Sequence, residues 1–261
     1  MTYYRLMLNY SLLEYLILNK KFMNGNYIKS LSIIFPFFNE DKRILKIIKK
    51  IKFLIYKFKN FDLEIILVND GSTDKSLEFI KKKLNHKKIK LISYLINKGK
   101  GYALKKGVRS STKKWILTCD IDFAANPENI LEWQSKRFIK NSKSCYFGSR
   151  VLKKSKVKSK FIRKFIGTIF SNIRKLLLNI NAQDTQCGFK LYPNKIGKKI
   201  FSKINSNGYV HDIEIFILLN KFKIKFYELP IKWNHIPGSK VNIFFDSIKM
   251  LFQLIYLRIY Y

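Results

Sequence analysis

Two carboxylates one residue apart, Asp120 and Asp122, stand at the end of a short apolar run, Trp115-Ile116-Leu117-Thr118-Cys119. Close carboxylates repel and are costly together unless a cation or a shared proton offsets them. A hard divalent ion carrying substrate phosphates answers that need, because Mg²⁺ and Mn²⁺ prefer oxygen and often use only one or two protein carboxylates. Taken alone, an Asp-x-Asp this short also fits an ordinary solvated turn. Further groups with chemical capacity follow other apolar runs. Asp70 stands in Asn69-Asp70-Gly71-Ser72-Thr73-Asp74, and Lys100 in Asn97-Lys98-Gly99-Lys100-Gly101. Gly71 permits a tight turn there, and Ser72, Thr73 or Asp74 can cap a following helix.

The elements that must position these groups alternate regularly. Strands are predicted over residues 31–36, 61–68, 89–95 and 115–119, with the first stopped by Pro36. Helices are predicted over 41–58, 75–84 and 102–109, the first with Ile44, Leu45, Ile47, Ile48 and Ile51 on one face and lysines outside. Alternation with short turns predicts an α/β fold with a mostly parallel, doubly wound sheet. Ligands of such sheets bind outside the carboxyl ends of the strands. Asp70, Lys100, Asp120 and Asp122 are all expected just past strand ends, on one rim. The coincidence of four features on that edge is the argument for a site.

The 261 residues are enough for one large domain or one domain with a small appendage, and 47 % hydrophobic residues supply a core. Three cysteines, Cys119, Cys145 and Cys187, lack metal-ligand spacing and fit a reducing compartment. The net charge of +35 invites a nucleic-acid reading, yet only eight of the 52 basic residues are Arg. Lysine is used wherever a solvated cation is tolerated, which points to base composition. Such a charge draws the chain to anionic headgroups and polyphosphates in a salt-sensitive way, placing a membrane surface ahead of nucleic acid. The apolar piece 6–18 is interrupted by Glu14 and falls short of a span of about 20 residues; it also lacks a signal-peptide cleavage site. Residues 1–29 read as an amphipathic lead-in, 30–240 as the folded domain, and 241–261 as an amphipathic helix that packs on the sheet or lies in the headgroup layer.

At this point the chain resembles the family-2 glycosyltransferases of GT-A fold. It is most similar to the branch that moves sugar from a nucleotide sugar to a polyprenyl phosphate, the dolichyl-phosphate β-glucosyltransferase type. The resemblance rests on Ile34-Phe35-Pro36-Phe37-Phe38-Asn39-Glu40, the Asp70 and Lys100 motifs, Asp120-Ile121-Asp122 and Gly148-Ser149-Arg150. It continues through Asp184-Thr185-Gln186-Cys187-Gly188-Phe189-Lys190, His211-Asp212-Ile213-Glu214, Trp233 and Gly238-Ser239-Lys240.

The resemblance implies that Pro36, Glu40, Asp70, Lys100 and Asp120 bind the nucleotide sugar, with Asp70 accepting from the base N–H. Asp120 and Asp122 would hold the sugar diphosphate, Asp122 through Mg²⁺ or Mn²⁺. Arg150, Arg163, Gln186 and Lys240 would meet phosphate oxygens of donor or acceptor. Catalysis would involve Asp122, Arg150 and Asp184, the last in the acceptor-side loop. The chain departs from the related mannosyl branch, where a Gln two residues past the second Asp touches the metal; Ala124 stands there. Asn69 replaces the first Asp of the usual Asp-Asp-Gly turn, and His211-Asp212-Ile213-Glu214 stands where relatives commonly show Phe-Asp-x-Glu.

The implied reaction is an inverting transfer of a sugar, glucose from a UDP-sugar being favoured, onto a polyprenyl phosphate at the cytoplasmic face of a membrane. A phosphate monoester is ionised near neutral pH, so Asp184 is then an orienting residue; a sugar-hydroxyl acceptor would instead need it as a base. The alternatives are a transferase of the same fold extending a saccharide, and a non-catalytic basic binding protein. The run Lys153, Lys154, Lys156, Lys158, Lys160, Arg163, Lys164 is either a solvated loop or a strip guiding an anionic headgroup. Asp212 and Glu214 lie in an apolar stretch and need partners, for which that basic strip is a source. His211, His235 and Cys187 read as structural.

Overall fold

The computed structural model describes residues 28–158, 180–236, 252 and 254–261. Apolar runs form the strands β1 (Ser30–Phe37), β2 (Asp62–Asp70), β3 (Ile89–Tyr94), β4 (Trp115–Thr118), β5 (Cys145–Ser149), β7 (Lys190–Pro193) and β8 (Phe226–Pro230). They make one seven-stranded sheet in the order β3-β2-β1-β4-β7-β5-β8. Every neighbouring pair is parallel except those made by β7, which runs antiparallel to β4 and β5. The mostly parallel α/β sheet expected from the sequence is what the chain forms. A two-stranded sheet of β6 (Lys156–Lys158) and β9 (Lys232–Asn234) lies beside it.

Helices cover both faces: α1 (Asp41–Lys57), α2 (Ser76–Lys83), α3 (Lys100–Ser110), α4 (Asn129–Ser135), α5 (Asn194–Lys203) and α6 (His211–Lys221). Strand alternation separates two cores. Ile33, Phe35, Ile65 and Leu67 face the side of α1, α2 and α4, where Ile44, Ile51, Ile80 and Trp133 are buried. Ile34, Ile66, Val68 and Ile116 face α3, α5 and α6, with Val108, Phe201 and Phe216. The short helical stretch 254–260 adds Leu254 and Leu257 to this second core. Tyr261 Oη donates to Glu214 at 2.7 Å, fixing that end against α6.

Element boundaries shift by one or two residues from the sequence expectation, and three of the shifts have a tertiary reason. β1 passes through Pro36 to Phe37. In this parallel ladder Ile34 bonds toward β4, its carbonyl accepting from Cys119 N, so Pro36 faces the same side. β4 has ended there, and the missing N–H costs nothing. β2 extends to Asp70 because β3 continues alongside it, pairing Asp70 with Tyr94. α3 starts at Lys100, since the carbonyl of Asn207 accepts from Gly101 N at 2.7 Å and Tyr102 N at 3.3 Å.

The six parallel strands end, and β7 begins, along one edge of the sheet. No helix among the described residues is long and apolar enough to cross a membrane. Residues 1–27, most of 241–261, Arg163 with Lys160 and Lys164, and Lys240 lie outside the described residues.

Candidate active site

The carboxyl edge carries a continuous line of polar contacts, which begins at Asp70. This last residue of β2 is 4 % exposed, yet its carboxylate is fully partnered. Oδ1 accepts from Tyr94 Oη at 2.8 Å and Lys98 N at 2.9 Å. Oδ2 accepts from Gly99 N at 2.9 Å and Asn97 Nδ2 at 3.1 Å. These four bonds match the acceptor capacity of a carboxylate, so a nucleotide base N–H would have to displace one of them. Asp70 thereby holds the loop that opens α3. Gly99 adopts φ +97°, and a Cβ there would come within 2.5 Å of the Asn207 carbonyl oxygen. The glycines of this loop serve close packing, and its N–H groups bond to Asp70 and Asn207.

The loop delivers Lys100 to Asp120, with Nζ 2.6 Å from Oδ1. Burial opposes the lysine's charge, but Asp120, with Asp212 beyond it, more than offsets this and raises its pKa. Asp120 and Asp122 sit in the turn after β4 rather than on the strand itself. Phe123 takes φ 61° there, a conformation costly for a bulky side chain, and stacks on Phe35 at 5.1 Å. Asp122 Oδ1 accepts from Ala124 N at 2.8 Å. Burial first, and the neighbouring Asp120 charge second, raise the Asp122 pKa against the pull of Ala124 N–H, Arg43 and Lys100.

On its far side Asp120 meets the loop that precedes β7. A Cβ on Gly188 would lie 2.5 Å from Asp120 Oδ2 and 2.7 Å from Oδ1, so any other residue there would push that carboxylate aside. Four residues earlier, Asp184 is 6 % exposed and gripped by Arg150 at the end of β5. Arg150 Nε and Nη2 donate to Oδ2 and Oδ1, and Arg150 N donates to Oδ2, all at 2.8 Å. Burial works to raise the Asp184 pKa, but the Arg150 charge and its hydrogen bonds outweigh it and hold the carboxyl below its ordinary range. Glu228 on β8 fixes the loop from behind, accepting from Gln183 N at 2.7 Å and Asp184 N at 2.8 Å. Gln186 is half-buried on the same loop.

Trp233 in β9 closes the circuit. Its ring lies 5.8 Å from the Arg150 guanidinium carbon, and it bridges to Ala125, just past Asp122. Outside this rim, beside Arg150 and Asp184, a cavity of about 480 Å³ is lined by Val151, Leu152, Lys153, Lys154, Gln183 and Pro230.

Asp70, Lys100, Asp120, Asp122, Asp184 and Arg150 therefore converge. Glu40 is placed differently. Its carboxylate is held by the fork of Arg43 one turn on, with Nη2 2.8 Å from Oε1 and Nε also donating. Pro36 is buried within β1. Asp212 finds its partner in Lys190, at the start of β7, rather than in the basic strip. Glu214 accepts from Asn205 N and Ser206 N, both at 2.8 Å, a structural bond set.

Two cations of the site were not singled out from sequence. Arg43 has a raised pKa, first through its hydrogen bond to Glu40 and, against burial, through the charges of Glu40, Asp122 and Asp120. Lys50 Nζ donates to the Asp122 carbonyl at 3.3 Å and lies over Phe123 at 5.1 Å. Its pKa is lowered, by burial first and by Lys46 next. The Glu40-x-x-Arg43 spacing is a helical i,i+3 pair and could have flagged Arg43. Lys50 carries no such signal.

Among the described residues no group of three or more His, Cys, Asp or Glu side chains could hold a metal ion. Two carboxylates on one turn, one with a raised pKa, still fit a hard ion that brings oxygen ligands with its substrate.

The sheet is a mostly parallel α/β one with a carboxylate pair just past the end of its central strand β4. The glycosyl transferase family 2 model matches residues 32–201, and the chain belongs to that family. A dolichyl-phosphate beta-glucosyltransferase of Trichomonas vaginalis is 34 % identical over 244 residues, covering 88 % of this chain and 73 % of the relative. The Saccharomyces cerevisiae enzyme of the same name is 32 % identical, covering 88 % and 75 %. The human one is 28 % identical, covering 89 % and 76 %. The fold is that of glucosyl-3-phosphoglycerate synthase from Mycobacterium tuberculosis, solved with Mn²⁺ and UDP-glucose. That structure superimposes with a TM-score of 0.62 at 14 % identity, covering 88 % of this chain and 79 % of the other.

Proposed function

We propose that this chain transfers glucose, with inversion, from UDP-glucose to a polyprenyl phosphate of the dolichyl type at the cytoplasmic face of a membrane. The observation that carries this reading is the Asp184–Arg150 clasp. Three donors engage the carboxylate, and its pKa is depressed. Such a group is a poor proton acceptor at neutral pH. A saccharide hydroxyl needs a base, whereas a phosphate monoester, with a second pKa of about 6, arrives largely ionised. The curated relatives support the same acceptor, since their names specify dolichyl phosphate.

An acceptor phosphate oxygen attacks the anomeric carbon while the bond from that carbon to the diphosphate oxygen breaks, and UDP leaves with both electrons. Charge grows on the diphosphate, and fixed cations beside it lower the barrier. Lys100, Arg43 and Lys50 supply such charge around Asp120 and Asp122. Asp122 is the ligand proposed for Mg²⁺ or Mn²⁺, which when bound neutralises the diphosphate. Asp120, already tied to Lys100, would contribute a second oxygen to this ion. Asp70 and Glu40 shape the base pocket by holding the 97–99 loop and Arg43.

Arg150 orients the acceptor phosphate. The neighbouring cavity, with Val151, Leu152 and Pro230 beside Lys153 and Lys154, suits a phosphate joined to an apolar chain. Gln186, with Arg163 and Lys240 outside the described residues, is proposed to meet phosphate oxygens. Membrane association is supported by the +35 charge and by exposed Phe252, Ile255, Tyr256, Ile259 and Tyr260 near the C-terminus. The three buried, unpaired cysteines accord with a reducing compartment.

A donor series against two acceptors tests this. UDP- and GDP-sugars are incubated with dolichyl phosphate or free dolichol, and label extracted into organic solvent is counted. The expected product forms from UDP-glucose and dolichyl phosphate, with free dolichol inert. Equal labelling of dolichol, or preference for a soluble saccharide, would contradict the phosphate-acceptor reading.

A further inference from the structure

We propose that Lys190 and Asp212, both buried beneath the site, form a strut that positions the acceptor-side loop against the donor carboxylates. This rests on the transferase reading and adds to it two positioning residues. Lys190 is 1 % exposed and lies within 6 Å of the ring centres of Phe147 (5.9 Å) and Phe216 (5.8 Å). A lysine is almost never buried so completely unless paired. It is paired: Nζ meets Asp212 Oδ1 at the start of α6 and donates to the carbonyl of Thr185 at 2.9 Å. That carbonyl belongs to the residue after Asp184. The lysine thus pins the loop backbone next to the clasp on Arg150.

The strut also reaches the donor side. Asp212 contributes to the raised pKa of Lys100, the partner of Asp120, and Lys190 helps hold Asp184 ionised. Charges therefore alternate along one line, from half-exposed Asp120 and Lys100 through buried Asp212, Lys190 and Asp184 to half-buried Arg150. Gly188, between the pinned carbonyl and Lys190, abuts Asp120 directly. The loop is consequently set by contacts at both ends of the reaction, and the strut fixes its height above the sheet.

Stability alone does not account for the arrangement. Buried ion pairs can be replaced by apolar residues of similar volume with little loss, whereas removing one partner strands a charge. A pair kept for positioning and a pair kept for stability then differ in what its apolar replacement does.

The double variant Lys190→Met/Asp212→Leu makes that distinction. Its melting temperature is expected to stay within a few degrees of wild type and its KM for UDP-glucose within about twofold. A loop shift of about 1 Å can cost up to roughly 100-fold in rate, so kcat for transfer to dolichyl phosphate should fall at least about 10-fold. Water should gain on the acceptor, raising the fraction of donor hydrolysed rather than transferred. Amide exchange at residues 185–188 should accelerate while β4 remains protected. A folded double variant with wild-type kcat, partition and exchange would overturn the strut. Exchange is read without turnover, so the strut stands or falls even if the donor and acceptor assignment fails. Should the double variant not fold, Asp212→Asn keeps an acceptor for Lys190 Nζ but removes the charge, and the same kcat and exchange readouts apply.

Discussion

Asp122→Asn is expected to lower glucosyl transfer about 1,000-fold while leaving the melting temperature equal to or above that of wild type. The two halves of this result have separate causes. Asparagine Oδ1 can still accept the Ala124 N–H that closes the turn at 2.8 Å, so the local fold is kept. The substitution also removes a half-buried charge whose pKa is raised, by burial first and by neighbouring Asp120 second. A carboxylate held above its ordinary pKa destabilises the folded chain when ionised, so its neutral isostere relieves a cost. What is lost is the anionic oxygen for a divalent ion, and with it stabilisation of the leaving diphosphate. Loss of a single electrostatic donor to a developing oxyanion already costs about 10²–10³ in kcat. Transfer assays with a thermal melt on the same preparation check both halves; activity within tenfold of wild type would remove Asp122 from the chemistry.

The second large effect is expected at Arg150. Arg150→Lys keeps the charge but loses the planar fork that engages both oxygens of Asp184, and a lysine cannot reproduce a bidentate geometry. Transfer efficiency toward dolichyl phosphate should fall about 100-fold, with UDP affinity changed by less than about threefold. Arg150→Met goes further, since it leaves Asp184 buried without its cation. Removing one partner of a buried pair costs about 3–5 kcal/mol, which in a chain of this size lowers the melting temperature by on the order of 10 °C.

The pH dependence has a definite sign. In the wild-type chain the Asp184 pKa is depressed, so its contribution to stability is complete above the ordinary carboxylate value. It is lost as pH falls through the lowered folded value. In the Met variant burial dominates, the folded pKa rises, and stability should decline as pH rises instead. Melts of both proteins between pH 3 and pH 8 should show the gap between them widening as pH rises, the Asp184 difference standing out against all other groups; parallel curves would contradict the role of Arg150 as the partner that keeps Asp184 ionised.

Much of the donor side was legible because it is local. Runs such as Ile33-Ile34-Phe35 and Ile65-Ile66-Leu67 announce buried strands, and a polar residue just beyond each one marks the edge where ligands bind. Asp70, Lys100, Asp120 and Asp122 follow from that rule. Partnerships across the chain were not legible. Nothing near Lys190 in sequence names Asp212, 22 positions on, and nothing near Asp70 shows that four donors would occupy it.

Strands were expected only as far as residue 119, and β5 to β9 were not read from the sequence. The short strand β7 is antiparallel to both neighbours and follows a loop of Asp, Gln, Cys and Gly, so it breaks the alternation from which β1 to β4 were read. One further signal lies in the scarcity of Arg: of eight among 52 basic residues, Arg43 and Arg150 each grip a carboxylate with two nitrogens.

The central claim is that groups from distant parts of the chain meet along one rim to hold a sugar diphosphate. A crystal of the chain grown with Mn²⁺ and UDP-glucose, measured at a wavelength where manganese scatters anomalously, tests it most directly. The account predicts a manganese peak at about 2.0–2.2 Å from an Asp122 oxygen, with the diphosphate between that ion and Lys100 and the glucose directed toward Arg150. Manganese or UDP bound away from the Asp120–Asp122 turn would contradict it.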